Sequence, residues 1–428
     1  MSDDLKQKFN KQVGIIGLGY VGLPLAILCV IKGFNVIGFE KDNNKLSLLH
    51  HGKSYISDIS DLMVETAVKN NLLYPTQDFS LISKCDIVIV CVPTPLAEDK
   101  TPNYSYLFDA MESIAHNMKQ GQLVMTESTI VPTTSRNEII PILQKKGFIA
   151  GKNFHFSFSP ERIDPGNDKF KIDTIPKLVS GYTDECRELA ADFYTQLGLK
   201  VHKVASLEVA EMAKILENSY RDVNIALANE LAQVCKLSGI SIWDVIEAAA
   251  TKPFGFSAFY PGPGVGGHCI PKDCTFYTYL ADKYGTRAKL AECAREINNN
   301  MPHYIISRLE TLLTNSGKCI NGSNLLILGV TYKKDVNDIR ESPAIEIIKK
   351  LSDMGAHIEY HDPYIKTLDV HNIKFSSIQY EDILKSKADC ILLAVGHSCY
   401  KGLDFSGVAL LFNAANNSVG SSNNTEIL

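Results

Sequence analysis

No stretch of this chain reaches the roughly 18 consecutive apolar residues that a membrane-spanning helix needs. Its first ten residues, MSDDLKQKFN, lack the apolar core of a secretory signal peptide. A cytoplasmic protein with no membrane partner is expected. Basic residues are not in excess: the net charge of -5 and pI near 6.1 argue against a general nucleic-acid binder. The eleven cysteines are odd in number and scattered, several within apolar runs such as KCDIVIVCV, and read as reduced small hydrophobes. Cys269 and Cys274 stand five apart, which is not zinc-knuckle spacing, and the histidines form no constellation, so no metal is expected.

What is present is alternation. The runs QVGIIGLG, FNVIGFEKD, KCDIVIVCVPTP and GQLVMTEST read as buried strands, with the helix-length stretch GLPLAILCVIKG between the first two. Strands alternating with helices imply a parallel sheet. Residues 206–238 hold neither Gly nor Pro, and Leu216, Tyr220, Val223, Leu227, Leu231 and Val234 recur at helical spacing. One long helix is predicted there, with Ser206 as its N-cap, serving as a spine or a dimer contact.

The last third repeats the first in order: NLLILGV echoes QVGIIGL, GAHIEYHDP echoes GFNVIGFEKD, and SKADCILLAVG echoes SKCDIVIVCVP. The fold class expected is α/β, with two Rossmann-like parallel-sheet domains joined by a central helical domain containing one long helix. The boundaries expected are 1–204 for the first α/β domain, 205–302 for the helical domain and 303–428 for the C-terminal α/β domain. The Asn/Ser-rich tail NAANNSVGSSNNTEIL is expected to be loose.

Gly17-Leu18-Gly19-Tyr20-Val21-Gly22 follows a strand and opens a helix. Gly17 serves the tight turn, Gly19 the approach of a pyrophosphate, and Gly22 the packing of helix on strand; the helix start then offers amides to phosphate. Tyr20 and Val21 complete this turn as cofactor contacts. Glu40, at the end of the second strand, can accept from ribose hydroxyls and would repel a 2'-phosphate, which favours NAD over NADP. Its neighbour Lys41 softens that preference. The second copy lacks G-x-G-x-x-G and is not expected to bind a dinucleotide in the same way.

Three further stretches carry chemistry. SPERIDPGN sets Glu161 and Arg162 just after a strand-like run. On the long helix Lys214, Asn218 and Arg221 share one stripe at i, i+4 and i+7. GVGGHCIPKD puts Cys269 in a glycine-rich loop beside Lys272 and Asp273.

Together IGLGYVGLP, VPTP, EST, SPER, AKILENSYR, GVGGHCIPKD and KKDVNDIRESPA closely resemble the UDP-glucose/GDP-mannose dehydrogenase family, in order and over nearly the whole chain. SPERIDPGN is most similar to the branch that oxidises UDP-N-acetylglucosamine or UDP-N-acetylgalactosamine in bacterial capsule and O-antigen synthesis. The resemblance implies an NAD-dependent four-electron oxidation of a primary alcohol to a carboxylate, in a homodimer acting on a UDP-sugar. It makes Cys269 the nucleophile, whose thiohemiacetal loses hydride to give a thioester that water hydrolyses. A thiol near pKa 8.5 needs cations or amides to ionise, which the loop glycines and Lys272 would supply.

By the same resemblance Lys214 stabilises oxyanion charge and Asn218 donates beside it. Asp273 works with a water in proton transfer, Glu161 activates the hydrolytic water, and Thr129 helps order that water near the cofactor. Thr94, at the end of the third strand, contacts NAD. Lys334 and Arg340 reach substrate and cofactor from the C-terminal domain, and Gly266 and Arg221 line the substrate.

Two departures stand out. UDP-glucose enzymes carry NPEFLxEG, whereas Arg162 here replaces the Phe and Pro165 occupies the place of a second acid. Tyr260 stands where glucose enzymes often have Lys, implying a different sugar or pyrophosphate contact. Arg162 either recognises an N-acetyl carbonyl or forms a structural salt bridge. His268 is a further base candidate outside any triad. The alternatives are oxidation of UDP-glucose, UDP-N-acetylmannosamine or GDP-mannose, and, in another class, an inactive NAD-binding sensor or scaffold. Such a sensor would have no need of Glu161, Lys214, Asn218, Cys269 and Asp273 together.

Overall fold

The apolar runs bounded by glycine and proline form buried parallel strands in the computed structural model, which describes residues 11–56, 59–163, 174–370, 373–415 and 425–428. The leader reading of residues 1–10, the departure at Pro165 and residues 416–424 of the polar tail lie outside the described residues. The chain divides into two compact units, residues 1–217 and 218–428.

The first unit runs β1 (Gln12–Ile16), α1 (Gly22–Ile31), β2 (Asn35–Phe39), α2 (Asn43–His50), α3 (Asp61–Lys69), β3 (Leu73–Thr76), β4 (Ile87–Val90), α4 (Ser105–Asn117), β5 (Gln122–Thr126), α5 (Ile140–Gln144) and β6 (Phe154–Phe158). These six strands make one sheet in the order β3-β2-β1-β4-β5-β6, every pair parallel. The interior strands β4 and β5 are buried throughout, as unbroken apolar runs must be when helices cover both faces. After β6 come β7 (Lys177–Val179), α6 (Asp184–Gln196) and β8 (Val201–Lys203), the two strands pairing in parallel. Phe193 and Tyr194 of α6 join the core formed by Ile15, Leu25 and Met125.

Strand β3 was not legible in the sequence, because LYPT is short and holds a proline; such a strand survives at a sheet edge. Thr94 consequently follows the fourth strand of the chain, not the third.

Helix α7 (Leu207–Ser238) begins in the first unit and ends in the second. The amide of Val209 donates to Ser206 Oγ at 3.3 Å, so Ser206 is the N-cap the sequence predicts. The second unit continues with α8 (Ile242–Ala250), α9 (Ile270–Lys283), α10 (Lys289–Asn315), β9 (Asn324–Leu328), α11 (Pro343–Asp353), β10 (His357–His361), β11 (Thr367–Val370), β12 (Ile373–Ser376), β13 (Cys390–Leu393), β14 (Leu411–Asn413) and β15 (Thr425–Ile427). Its sheet has the order β10-β9-β13-β14-β15, the topology of β2-β1-β4-β5-β6, with β11 and β12 as a separate antiparallel hairpin. The echoes heard in the sequence are thus equivalent strands. Among the described residues no helix is long and apolar enough to cross a membrane.

The repeat extends to hydrogen bonds. The Gly17 amide donates to Phe39 O at 2.8 Å, and the next amide, Leu18, donates to Glu40 Oε2 at 3.1 Å. In the second sheet the Gly329 amide donates to His361 O at 2.9 Å, and Val330 donates to Asp362 Oδ2 at 2.7 Å. In each half an acid just past the second strand ties down the loop after the first. Asp362 also accepts from the amides of Thr331, Tyr364 and Ile365 and from His397 Nε2.

Burial alone would raise the Asp362 carboxyl, but the His397 ring and the amides outweigh it and hold it below the ordinary carboxylate range. A group so lowered stabilises the fold above its unfolded value and loses that contribution as pH falls through its folded value. Asp362→Asn is therefore expected to lose about 2 kcal/mol in denaturant unfolding at pH 7. The deficit should shrink as pH falls below the ordinary carboxylate range and the wild-type carboxyl is protonated as well.

Candidate active site

The cofactor turn is built by two packing constraints and one opening. Gly17 sits at φ 89°, a conformation that favours glycine. A Cβ on Gly22 would lie 1.9 Å from Gly17 O, so the helix start closes onto the turn only without a side chain. At Gly19, by contrast, no heavy atom lies within 4 Å of where a Cβ would stand, which leaves the space a pyrophosphate approaches through. The turn therefore fits a dinucleotide. Tyr20 is exposed beside it and Val21 half-buried.

Glu40 accepts from the amides of Leu18, Lys41 and Asp42, so its carboxylate is fixed at the strand end. Lys41 pairs with Asp109, so its charge already has a partner, while Lys45 approaches Glu40 to 3.6 Å. Thr94 is buried and its hydroxyl donates to Thr129 O at 2.6 Å, linking the loops after β4 and β5.

Glu161, just past β6, lies in a buried charge chain. Its Oε1 accepts from the amides of Arg162 and Ile163, both at 2.6 Å, and its Oε2 lies 2.9 Å from Lys177 Nζ. Lys177 Nζ lies equally close, 2.9 Å, to Glu127 Oε2, and Tyr194 Oη donates to Glu127 Oε1 at 2.5 Å. Burial pushes the Glu127 carboxyl up, more than Lys177 pulls it down. For Glu161 burial acts the same way but is overcome by Lys177, the Ile163 amide and Lys214, which hold it below the ordinary range. Sequence reasoning missed Glu127, Lys177 and Tyr194; the only signals were the EST motif and a lysine inside the strand-like run PKLV.

Arg162 makes a two-pronged ion pair with Glu217, 2.7 Å at the closer contact, and donates to Pro176 O at 2.6 Å. The salt-bridge reading is thus realised. Lys214 is buried on α7. One turn earlier, Glu211 accepts from the amides of Thr133 at 2.6 Å and Ser135 at 3.1 Å, and burial pushes its carboxyl up to about 7. Thr133 sits at φ 81°, a strained conformation for a β-branched residue.

In the second unit Asn218 Nδ2 donates to Asp273 Oδ2 at 2.5 Å, and both side chains are buried. Lys272 Nζ lies 2.7 Å from Asp273 Oδ1 and 4.1 Å from the centroid of the Phe276 ring. Neither that nitrogen nor that oxygen has a partner with ordinary hydrogen-bond angles among the described residues. Cys269 is exposed at the N-cap of α9, where helix amides and the helix dipole favour negative charge. Its neighbour His268 is lowered to about 4, first by burial and then by Lys272 and Arg340, so its imidazole is neutral near pH 7.

The glycines before Cys269 are demanded by packing: a Cβ on Gly266 would come 2.4 Å from Glu341 O, and one on Gly267 2.8 Å from the Tyr332 ring. The Gly267 amide donates to Arg340 O, and the Arg340 guanidinium pairs with Asp338. Lys334 and Arg221 are exposed, and exposed Tyr260 stacks on Trp243 at 6.0 Å. Among the described residues no group of His, Cys, Asp or Glu is arranged to hold a metal ion.

A phosphate-binding turn closed by a strand-end acid marks a dinucleotide enzyme, and the protein is an NAD-dependent oxidoreductase. The chain belongs to the UDP-glucose/GDP-mannose dehydrogenase family: residues 11–198 match its NAD binding domain, 208–300 its central domain and 326–419 its UDP binding domain. It is 33% identical to a UDP-N-acetyl-D-glucosamine 6-dehydrogenase of Pseudomonas aeruginosa, over 94% of each chain. It is 34% identical to a UDP-N-acetyl-D-mannosamine dehydrogenase of Methanocaldococcus jannaschii, covering 93% of this chain and 88% of that one. The UDP-D-ManNAc dehydrogenase structure from Pyrococcus horikoshii superposes with a TM-score of 0.86 at 28% identity, covering 95% of each chain.

Gly19 and Gly22 should separate binding from folding. Gly22→Ala is expected to lower both stability and NAD affinity. Gly19→Ala should unfold with the wild type yet bind NAD at least about tenfold more weakly by fluorescence titration, because only the cofactor needs that space.

Proposed function

We propose that the protein oxidises the C6 hydroxyl of a UDP-N-acetylhexosamine to the carboxylate through a covalent Cys269 thioester, for surface polysaccharide synthesis. The observation that carries this reading is an exposed cysteine at a helix N-terminus, one turn before a buried Asp273 that is tied to Asn218. An ordinary alcohol dehydrogenase has no use for that thiol. The hexosamine assignment rests on the names of the relatives, which divide between glucosamine and mannosamine substrates.

NAD, when bound, supplies a hydride acceptor, one molecule for each of the two oxidations. Asp273, through a water, takes the proton from the C6 hydroxyl as its carbon gives up hydride, yielding the aldehyde. The Cys269 thiolate adds to that carbonyl; the oxyanion is met by the Lys214 ammonium and the Asn218 amide. Loss of a second hydride leaves the thioester. Water attacks it, Glu161 takes the water's proton with Thr129 ordering the water, and the carboxylate and the thiol are released. Gly17, Gly19, Tyr20, Val21, Gly22, Glu40, Thr94 and Arg340 are assigned to the cofactor. Arg221, Tyr260, Gly266 and Lys334 are assigned to the substrate, while the Arg162 guanidinium is engaged by Glu217.

Purified protein is expected to form two NADH per UDP-sugar consumed, and a UDP- and GDP-sugar panel reads out the sugar. One NADH with release of free aldehyde would remove the thioester route. Cys269→Ala should lower kcat by about a thousandfold or more with NAD affinity within about twofold of wild type.

A cytoplasmic homodimer is part of the same reading, with 1–204, 205–302 and 303–428 as cofactor, dimerisation and UDP-sugar segments. Exposed Leu216, Tyr220, Leu227, Leu231 and Val234 on one face of α7 support it, since an apolar stripe of that length calls for a cover. Leu227→Asp with Leu231→Asp should halve the mass measured by analytical ultracentrifugation.

A further inference from the structure

We propose that Lys177 is a positioning residue for thioester hydrolysis: backed by Glu127, its ammonium fixes the Glu161 carboxylate in one orientation and supplies its countercharge. The inference rests on the proposed role of Glu161 as the base for the hydrolytic water. Its basis is the charge chain Glu161–Lys177–Glu127–Tyr194, in which Lys177 Nζ stands 2.9 Å from one oxygen of each carboxylate. The Lys177 and Glu127 side chains are 8% and 0% exposed, whereas Glu161 is 15% exposed and so is the member reachable by water.

Each contact restrains a different freedom. Two amides hold Glu161 Oε1, so the carboxylate cannot rotate about its terminal bond without breaking them. Lys177 then takes one acceptor site of Oε2 and leaves the other for a water. A lysine buried alone would lose its proton; Glu127 prevents that, and the two carboxylates together raise the Lys177 ammonium against the lowering effect of burial. Glu127 is in turn oriented by Tyr194.

The charged and titratable groups around Glu161 come from every neighbouring element: Lys177 on β7, Glu127 after β5, Lys214 on α7 and Cys91 after β4. Of these charged groups the two lysines oppose burial, together with the Ile163 amide, and Lys177 is the one in direct contact with the carboxylate. Removing it takes away the largest opposition to burial, so Glu161 should take up a proton at higher pH and serve less well as a base there.

The test is single-turnover hydrolysis of the acylated enzyme, followed by rapid quench across pH. Lys177→Met is expected to slow hydrolysis at least about tenfold at pH 7 and to move the acid limb of its rate upward by about one pH unit or more, with NADH formation before the thioester little changed. Lys177→Arg, which keeps the charge, should restore the acid limb. If Lys177→Met fails to fold because Glu127 is left unpaired, the double variant Lys177→Met with Glu127→Gln removes the buried charge as well and should move the acid limb in the same way. A wild-type acid limb in either Met variant overturns the proposal while leaving Glu161 as the base. Wild-type hydrolysis in Glu161→Gln would instead overturn the base role and the clamp together.

Discussion

Helix α7 is built inside out, and the residues proposed for the active site depend on that. Its buried face carries Glu211, Lys214, Asn218, Asp222 and Asn229, while Leu216, Tyr220, Leu227, Leu231 and Val234 are exposed on the opposite face. Polar groups turned inward are tolerated only when each finds a partner. In the first unit Glu211 caps the backbone at Thr133 and Ser135. In the second, Asn218 meets Asp273, and Asp222 accepts from Arg295 at 2.7 Å and Asn298 at 2.9 Å. Asn229 donates to Asn298 Oδ1 and accepts from the Gly262 amide, both at 2.9 Å. The loop leading to Cys269 is therefore tied through its Gly262 amide to Asn229 of α7, which is itself bonded to Asn298 of α10.

A second constraint is shared by the two sheets. Glu40 and Asp362 hold equivalent loops through equivalent amides, so one device shapes two loops with different contents. In the first the glycines leave a space open at Gly19. In the second the residues after Gly329 are Val330, Thr331 and Tyr332, and Tyr332 packs against the glycines before Cys269. The same hydrogen-bond frame thus serves a cofactor turn in one sheet and braces a loop in the other.

Two lysines, Lys177 and Lys272, are nearly buried against carboxylates. Each lies one contact away from a residue with a proposed proton-transfer role. At Glu127 and Glu161 a shared lysine meets two carboxylates of unequal surroundings, and their protonation preferences part in opposite directions. Separating two acids by environment rather than by type lets two like residues differ in how readily each takes up a proton.

By itself the sequence determined the elements and the dinucleotide turn. Apolar runs, glycine positions and the Gly/Pro-free stretch depend on neighbours close in the chain, so β1, β2, β4, α7 and the turn shaped by Gly17 and Gly22 were legible, as was the order of the repeat. Strand β3 was not, since Leu73–Thr76 holds together only through its partner β2. Tertiary structure alone decided the partners. It turned Lys272 toward Asp273 and Phe276, paired Arg162 with Glu217, and set Lys177 between Glu127 and Glu161. It also turned the apolar stripe of α7 outward, where periodicity gives the stripe but not its direction. Glu127 and Lys177 are 50 residues apart in the chain, and no local pattern encodes a contact of that range. It forms because burying a charge is tolerable only beside its opposite, a condition met in space and not along the chain.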